Sequence, residues 1–478
     1  MKNSIKLSDH FTYKRLFRFV LPSIIMMVFT SVYGIVDGVF VSNFVGKTAF
    51  AAVNLIMPVL MILGAVGFMI GTGGTAIVSQ SLGEGKRELA NRYFSLLVYI
   101  TAALGVVLSV AGIAMMPVLA RWLGADGELL ENCVVYGRWV LVGLPFFMLQ
   151  NVFQSFAVTA ERPKFGLAVT VAAGVTNMGL DALLVAVIPW GVAGAAIATA
   201  VSQFVGGVVP LVFFFRKNNG TVLRLGKTQW YGKVFLKTCT NGSSELMSNI
   251  SMSVVTILYN FQLMKLAGEN GIAAYGTIMY VGFIFAAIYI GYAIGSAPLV
   301  GFNYGAGNRD ELKNLLRMSI VSLAVTGIVM TIASFALARP LSSIFVGYDA
   351  ELCEMTVVGM RYYSFSFLMC GFNIFGSAFF TALGNGLISA LISFLRTLVF
   401  QCACVVVLPV FFGLSGVWSA IIVAELASLA LTIVFLVANA RKYGYGKTAE
   451  EVAVGPSDAK TDIDVGNEAE EAENGEEK

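Results

Sequence analysis

Gly83-Glu84-Gly85-Lys86-Arg87-Glu88 closes one apolar stretch of the chain, and Gly305-Ala306-Gly307-Asn308-Arg309-Asp310 closes another about 222 residues later. Within a residue, the same offset carries Arg138 onto Arg361, Thr159-Ala160 onto Thr381-Ala382, and Gly191-Val192-Ala193-Gly194 onto Gly413-Leu414-Ser415-Gly416. Gly71 to Phe215 therefore runs parallel to Gly295 to Phe435, one hydrophobic plan used twice. A membrane protein of two matched halves usually works at the seam between them, where one half rocks against the other around a central site. The repeat points to a transporter.

Composition fixes the solvent. Hydrophobic residues make up 57% of the 478 and charged residues 12%, and the mean hydropathy is +0.80. A soluble domain carries about twice that charge. The apolar residues come in runs of about 20, enough for a helix to cross roughly 30 Å of hydrocarbon, and about twelve such spans are expected. They fall near 16–43, 52–82, 93–119, 134–156, 165–188, 192–215, 237–264, 275–300, 318–338, 355–380, 387–412 and 414–438. The expected fold is an all-α polytopic membrane protein with two pseudo-symmetric six-helix lobes. Its parts are a lead (1–15), an N-lobe (16–215), a polar, basic inter-lobe linker (216–237), a C-lobe (238–445) and an acidic tail (446–478). Ala449 to Lys478 holds eleven Asp or Glu against two Lys and hardly a large apolar residue, so this stretch is expected to be disordered.

Orientation follows from the basic residues between spans. With the N-terminus inside, the inner segments hold 22 Lys or Arg and the outer segments 6. Both termini are expected in the cytoplasm of a plasma-membrane protein. The first apolar run is span-length, with no small-residue cleavage site behind it, and is expected to be a retained helix rather than a signal peptide.

Enzymatic chemistry finds little support. The single histidine, His10, sits in the lead, which excludes a histidine proton relay and a Ser-His-Asp hydrolase, and none of the six cysteines has metal-ligand spacing. Neither a metal, an organic cofactor nor a nucleic-acid partner is expected. The expected partners are small lipophilic molecules and the bilayer, with the chain acting as a monomer. Chemistry then falls to ionisable residues placed in hydrocarbon, which are costly enough to mark function: Asp37, Asp181, Glu245, Arg396 and Glu425.

Asp37 and Tyr33 lie one helical turn apart on one face of the first span, and Asn177 and Asp181 do the same in the fifth. If these faces meet, two carboxylates, an amide and a phenol share one low-dielectric pocket, where burial and like charge both disfavour the ionised forms. Such a pocket can exchange a proton. The alternative is that each carboxylate satisfies a helix end or a neighbouring backbone group. Against a scaffold role, the offset carries Asp37 onto Tyr259 and Asp181 among Gln401, Cys402 and Ala403. Glu245 either faces the cleft and attracts cations or sits in a helix's first turn, favoured by the N-terminal dipole. Arg396 and Glu425 are expected to pair with one another, the other reading being an arginine-lined site for an anion. Pro22, on the same helix as Asp37, is a candidate bend through which protonation changes the helix shape.

Several separated motifs are similar to those of the multidrug and toxic compound extrusion (MATE) transporters. They are Val36-Asp37-Gly38 with Gly46, Gly83-Glu84-Gly85, Asn177-x-x-x-Asp181, and Gly191-x-x-Gly194-Ala195-Ala196-Ile197-Ala198-Thr199, in matching order and covering about residues 10 to 445. The resemblance implies twelve helices in two lobes around a central cleft, and export of lipophilic, often cationic compounds driven by inward flow of H⁺ or Na⁺. It implies an N-lobe cation site of Asp37, Asn177, Asp181 and Thr199, with Tyr33 and Asn151 beside it and Glu245 on the substrate path. Other branches of the family pair acidic residues on helices seven and ten; here the tenth span offers Asn373 instead. A flippase of lipid-linked saccharides from the same broad superfamily is the rival reading, one that calls for several basic residues in the cleft.

Overall fold

A chain in hydrocarbon must satisfy its backbone polar groups internally, and this one does so with helices alone among the described residues. The computed structural model describes residues 5–216 and 220–446. The tail expected to be disordered lies outside the described residues from 447 onward.

The N-lobe comprises α1 (Tyr13–Phe40), α2 (Lys47–Gly83), α3 (Arg87–Trp122), α4 (Gly127–Thr159), α5 (Pro163–Asp181) and α6 (Gly191–Phe215). The stretch Gly232–Gly305 breaks at Gly268 (φ 62°, ψ −150°) into α7 (232–267) and α8 (269–305). After α9 (Arg309–Ala336), a short surface helix, Ala338–Val346, leads to α10, which is Ala350–Ser364 joined to Phe367–Ala382 through a 51° bend. Gly386–Tyr443 breaks at Gly413 (φ 55°, ψ −135°) into α11 (386–412) and α12 (414–443). These are the twelve spans, six to a lobe. Observed helices overrun the expected bounds, α3 and α9 by several residues at their starts, because hydropathy marks only the apolar middle of a helix whose polar first turn stands in the headgroup region.

The repeat is visible in the backbone. Gly85 and Gly307 (φ 80° and 69°) turn the chain between the second and third helix of each lobe, and Gly191 and Gly413 (φ 62° and 55°) turn it before the sixth. Only glycine takes such angles without strain. Residues 220–228, part of the segment expected to be the inter-lobe linker, lie along α3. Arg87 donates to the Thr221 and Val222 carbonyls, Asn91 accepts from the Arg224 amide, and Ser95 accepts from the Gly226 amide. The counterpart of Arg87, Arg309, donates to the Tyr443 carbonyl where α12 ends. In each lobe the arginine that opens the third helix ties down the chain leaving the sixth.

The lobes touch at the end of the molecule that carries the Gly85 and Gly307 turns and most of the basic residues. There α2 and α8 cross at backbone level: a Cβ on Gly83 would lie 2.1 Å from the Phe302 carbonyl oxygen, and one on Gly305 would lie 2.2 Å from that of Gln80. A second matched pair flanks it, Gly73 and Gly242 between α2 and α7, and Gly291 and Gly295 of α8 against Ile24 and Val20 of α1. Gln80 adds a 2.7 Å hydrogen bond from its side chain to the Ala382 carbonyl. Pro22 lies inside α1, which is unbroken there, next to the residues that meet α8.

A Gly242→Ala variant should lower the apparent melting temperature of the purified protein. Its Cβ would stand 1.9 Å from the Met69 carbonyl oxygen, and such overpacking costs about 1–3 kcal/mol. Gly276→Ala, with nothing within 4 Å of its Cβ, should leave the melting temperature unchanged or slightly raised.

Candidate functional site

Two α1 rings pack onto Gly174 of α5: a Cβ there would meet the Phe29 ring at 2.4 Å and the Tyr33 ring at 3.0 Å. Helical spacing does the rest. Tyr33 leads to Asp37 one turn on along α1, while Gly174 leads to Asn177 and Asp181 along the same face of α5. The two carboxyl groups lie close to one another, and both side chains are buried, Asp181 at 0% exposure.

The polar groups around them are few. Asn177 Nδ2 lies 3.5 Å from Thr199 Oγ1 of α6. The Tyr136 phenol of α4 lies near Thr199 and close to both carboxyls, and the Tyr33 phenol lies near Gln150 of α4. No Lys or Arg acts on either carboxyl among the described residues. Asp37 Oδ1, both Asp181 oxygens and Asn177 Oδ1 are buried without a donor. Two carboxylates and an amide oxygen, with no donor and no counter-charge among the described residues, have the chemistry to take up a cation: a proton shared between the carboxyls, or a metal ion on the same oxygens.

Both acidic helices also change their winding here. A π-helical turn, Val41–Val45, follows Asp37 by one turn, and another, Ala182–Val187, begins immediately after Asp181. Such π segments cluster at functional sites because they free backbone groups and re-aim side chains.

Asp37, Asn177, Asp181, Thr199 and Tyr33 thus come together. Asn151 is buried beside Gln150 with an unpartnered amide nitrogen, but no contact joins it to the carboxyl pair. Glu245 stands apart on α7, close to where that helix crosses α2 at Gly242. It is not in a first turn: the helix begins at Gly232, several turns earlier, so the N-terminal dipole does not account for the residue. Tyr136 and Gln150 were not singled out from sequence. Their signal was a phenol and an amide inside an apolar span, which ordinary core packing produces as well.

The C-lobe is built differently. Arg396 grips Glu425 with both ends of its fork, Nε at 2.9 Å from Oε1 and 3.1 Å from Oε2, and Nη2 at 2.8 Å from Oε1. Asn373 donates to Glu425 Oε2 at 2.7 Å and to the Glu425 carbonyl at 3.0 Å, and itself accepts from Thr432. Arg396 also reaches Cys370 Sγ at 3.2 Å. The two deep charges neutralise one another, as opposite charges in a membrane interior should.

Twelve helices in two matched lobes, with a counter-charge-free acidic site inside one of them, define a two-lobed polytopic membrane transporter. The chain matches the MatE family model twice, over residues 22–183 and 246–407, once in each lobe, and it belongs to the MATE family of transporters. It is 26% identical over 432 residues to the multidrug export protein MepA of Staphylococcus saprophyticus, covering 89% of this chain and 94% of that one. Against MepA of Staphylococcus aureus the identity is 25% over 426 residues, with the same coverage. Among solved structures, a MATE transporter in complex with MaL6 superposes with TM-score 0.87 at 22% identity, covering 94% of this chain and all of that one. A multidrug resistance MATE family transporter in an outward-facing conformation gives TM-score 0.86 at 23% identity, over 92% of this chain and 98% of that one.

Removing one member of the C-lobe pair should be far worse than removing both. Glu425→Ala leaves Arg396 uncompensated and should destabilise the protein by about 3–5 kcal/mol, whereas Arg396→Met with Glu425→Leu should recover most of that loss. Thermal unfolding of the purified variants separates the two cases.

Proposed function

We propose that this transporter exports lipophilic, often cationic compounds by alternating access, in exchange for a cation that enters the N-lobe site. The reading rests on one observation: the facing carboxyls of Asp37 and Asp181, buried without a basic partner. Two negative charges at that separation in a low-dielectric interior repel strongly, so the pair holds a cation or binds one readily. The relatives named multidrug export proteins support the choice of cargo.

The basic end faces the cytoplasm, since it carries the excess of Lys and Arg. With the site at least partly ionised and open to the inner side, a lipophilic cation is drawn in. Glu245, with no ion pair among the described residues and close to the crossing of α7 with α2, adds negative potential along that path. Entry of the coupling cation from outside removes the attraction, and the substrate leaves outward. Coupling needs both cations to compete for the same charge, because only a difference in affinity between the two conformations shifts their balance.

We favour a proton over Na⁺ as the coupling ion. The carboxyls lie close enough to act on one another, and a shared proton would remove their repulsion without moving them, whereas Na⁺ between them would hold the oxygens further apart. Asn177 and Thr199 then orient Asp181, and Pro22 gives α1 a place to bend as the charge changes. The flippase reading loses its footing because Arg396, the deep cation it needs, is held by Glu425.

The test is efflux of a fluorescent lipophilic cation from vesicles with an imposed pH or Na⁺ gradient. The intact chain should respond to the pH gradient, and Asp37→Asn and Asp181→Asn should each lose gradient-driven efflux by about tenfold or more. Efflux indifferent to both gradients, or normal in both variants, would rule the mechanism out.

A further inference from the structure

The chain ahead of α1 reaches into both lobes. Leu7 and Phe11 are each 1% exposed, and they share an apolar cluster with Val158 of α4, Tyr292 of α8 and Leu312 of α9, with Phe11 set edge-on against Phe19 at 6.0 Å. On the N-lobe side the Leu7 amide donates to Glu161 Oε1 at 2.8 Å, in the turn between α4 and α5. On the C-lobe side the Phe11 amide donates to Glu311 Oε1 at 2.9 Å, His10 Nδ1 lies 2.6 Å from Glu311 Oε2, and Asn314 Nδ2 donates to the Phe11 carbonyl at 3.0 Å. Glu311 is itself fixed at the head of α9, where its amide donates to the Asn308 side chain and its carboxylate accepts from Asn314.

Two details separate this arrangement from ordinary packing. Glu161 sits at φ 60°, the one described non-glycine residue with positive φ, whereas the turn in the corresponding place of the C-lobe uses Gly384 at φ 77°. A glutamate held where glycine is preferred, at a conformational cost, keeps its side chain for a purpose. The repeat also gives neither carboxylate a partner in kind, since Glu161 corresponds to Gly384 and Glu311 to Leu89. The segment is a device the symmetric frame does not require.

We propose that residues 5–12 form a strap that holds the two lobes together at the basic end, and that opening of that face requires one of its two arms, at Glu161 or at Glu311, to let go. This inference rests on the alternating-access reading above and adds the element that sets the balance between its two conformations. Each arm is a carboxylate on a backbone amide, a charge-assisted bond that is strong when half-buried and breaks without repacking a core. The apolar side chains of Leu7 and Phe11 supply the affinity; the two glutamates supply the register.

Spin labels at Glu84 and Ala306, exposed on the two matched turns of the basic end, and at Trp122 and Tyr348 at the opposite end report which face is open in the full chain in lipid nanodiscs. Glu311→Ala, and Leu7→Ser with Phe11→Ser, should each raise the ratio of molecules with a parted basic end by about fivefold or more, with the opposite pair drawing together. Unchanged distances in both variants overturn the strap. Should a variant misfold, Phe11→Cys in a chain otherwise free of cysteine gives a second readout. Its labelling by a membrane-impermeant maleimide from the basic side should quicken severalfold when a lipophilic cation and a gradient drive turnover, and a rate that stays constant refutes the proposal. The labels also keep the two ideas apart. Efflux with no gradient dependence would sink the coupling mechanism, while the distances would still decide the strap.

Discussion

Two carboxyl groups that face one another in a space without a counter-charge cannot both stay ionised there unless a cation comes between them. That constraint organises the N-lobe. It explains why Asp37 and Asp181 are recessed behind Tyr33, Tyr136 and Asn177 rather than turned to the bilayer, where an unpaired carboxylate has neither water nor partner. It also explains the unsatisfied oxygens around them, which elsewhere in a folded interior would be an uncompensated penalty. A site whose acceptors outnumber its donors waits for a positive charge.

The C-lobe shows the same frame with the demand removed. At the repeat offset Asn373, Glu425 and Arg396 stand where the N-lobe has Asn151, Gln203 and Gly174. In the C-lobe these three positions form a closed ion-pair network with its donors and acceptors matched. In the N-lobe α5 has no arginine, Gly174 lets the α1 aromatics reach it, and the Asn151 nitrogen and Gln203 oxygen are unpartnered. One scaffold therefore yields a lobe whose deep acid is paired and a lobe whose deep acids are not. The difference lies in whether the deep negative charge has a built-in cation, and a duplicated fold can acquire it by changes at very few positions.

Much of this was legible in the sequence. The repeat, the number of spans and the pairing of Arg396 with Glu425 follow from apolar run lengths, a constant offset and the cost of lone charge in hydrocarbon. The convergence of Asp37 with Asp181 was an inference from two i, i+4 pairs, and it needed α1 to lie on α5; Gly174, the residue that allows this, looks in sequence like any small residue of a membrane helix. Tyr136 and Gln150 were invisible because a phenol or an amide in an apolar span belongs equally to core or site until its neighbours are known. The π turns after Asp37 and Asp181 leave no mark in hydropathy, which integrates over the whole span. Of the two readings of Glu245, the first-turn one fails because α7 begins at Gly232, ahead of the start expected from hydropathy.

The contacts between the lobes differ in kind from those within them. Each lobe keeps interlocked aromatic and aliphatic clusters, such as the ring contacts among Phe94, Phe153, Phe156 and Phe214, whose side chains cannot part without leaving voids. At the crossings of α2 with α7 and α8, and of α8 with α1, a glycine on one helix lies against the carbonyl or Cα of the next. Backbone surfaces that meet this way fit closely but do not interdigitate, so they can separate and return with no rotamer changed. Because the crossings occur as pairs related by the repeat, parting one member strains its counterpart equally, and a rocking of whole lobes is the motion that relieves both. The cluster that joins residues 5–12 to α4, α8 and α9, and a smaller one in which Met26 and Met27 of α1 meet Ala287 of α8, add interlocked side chains across that seam.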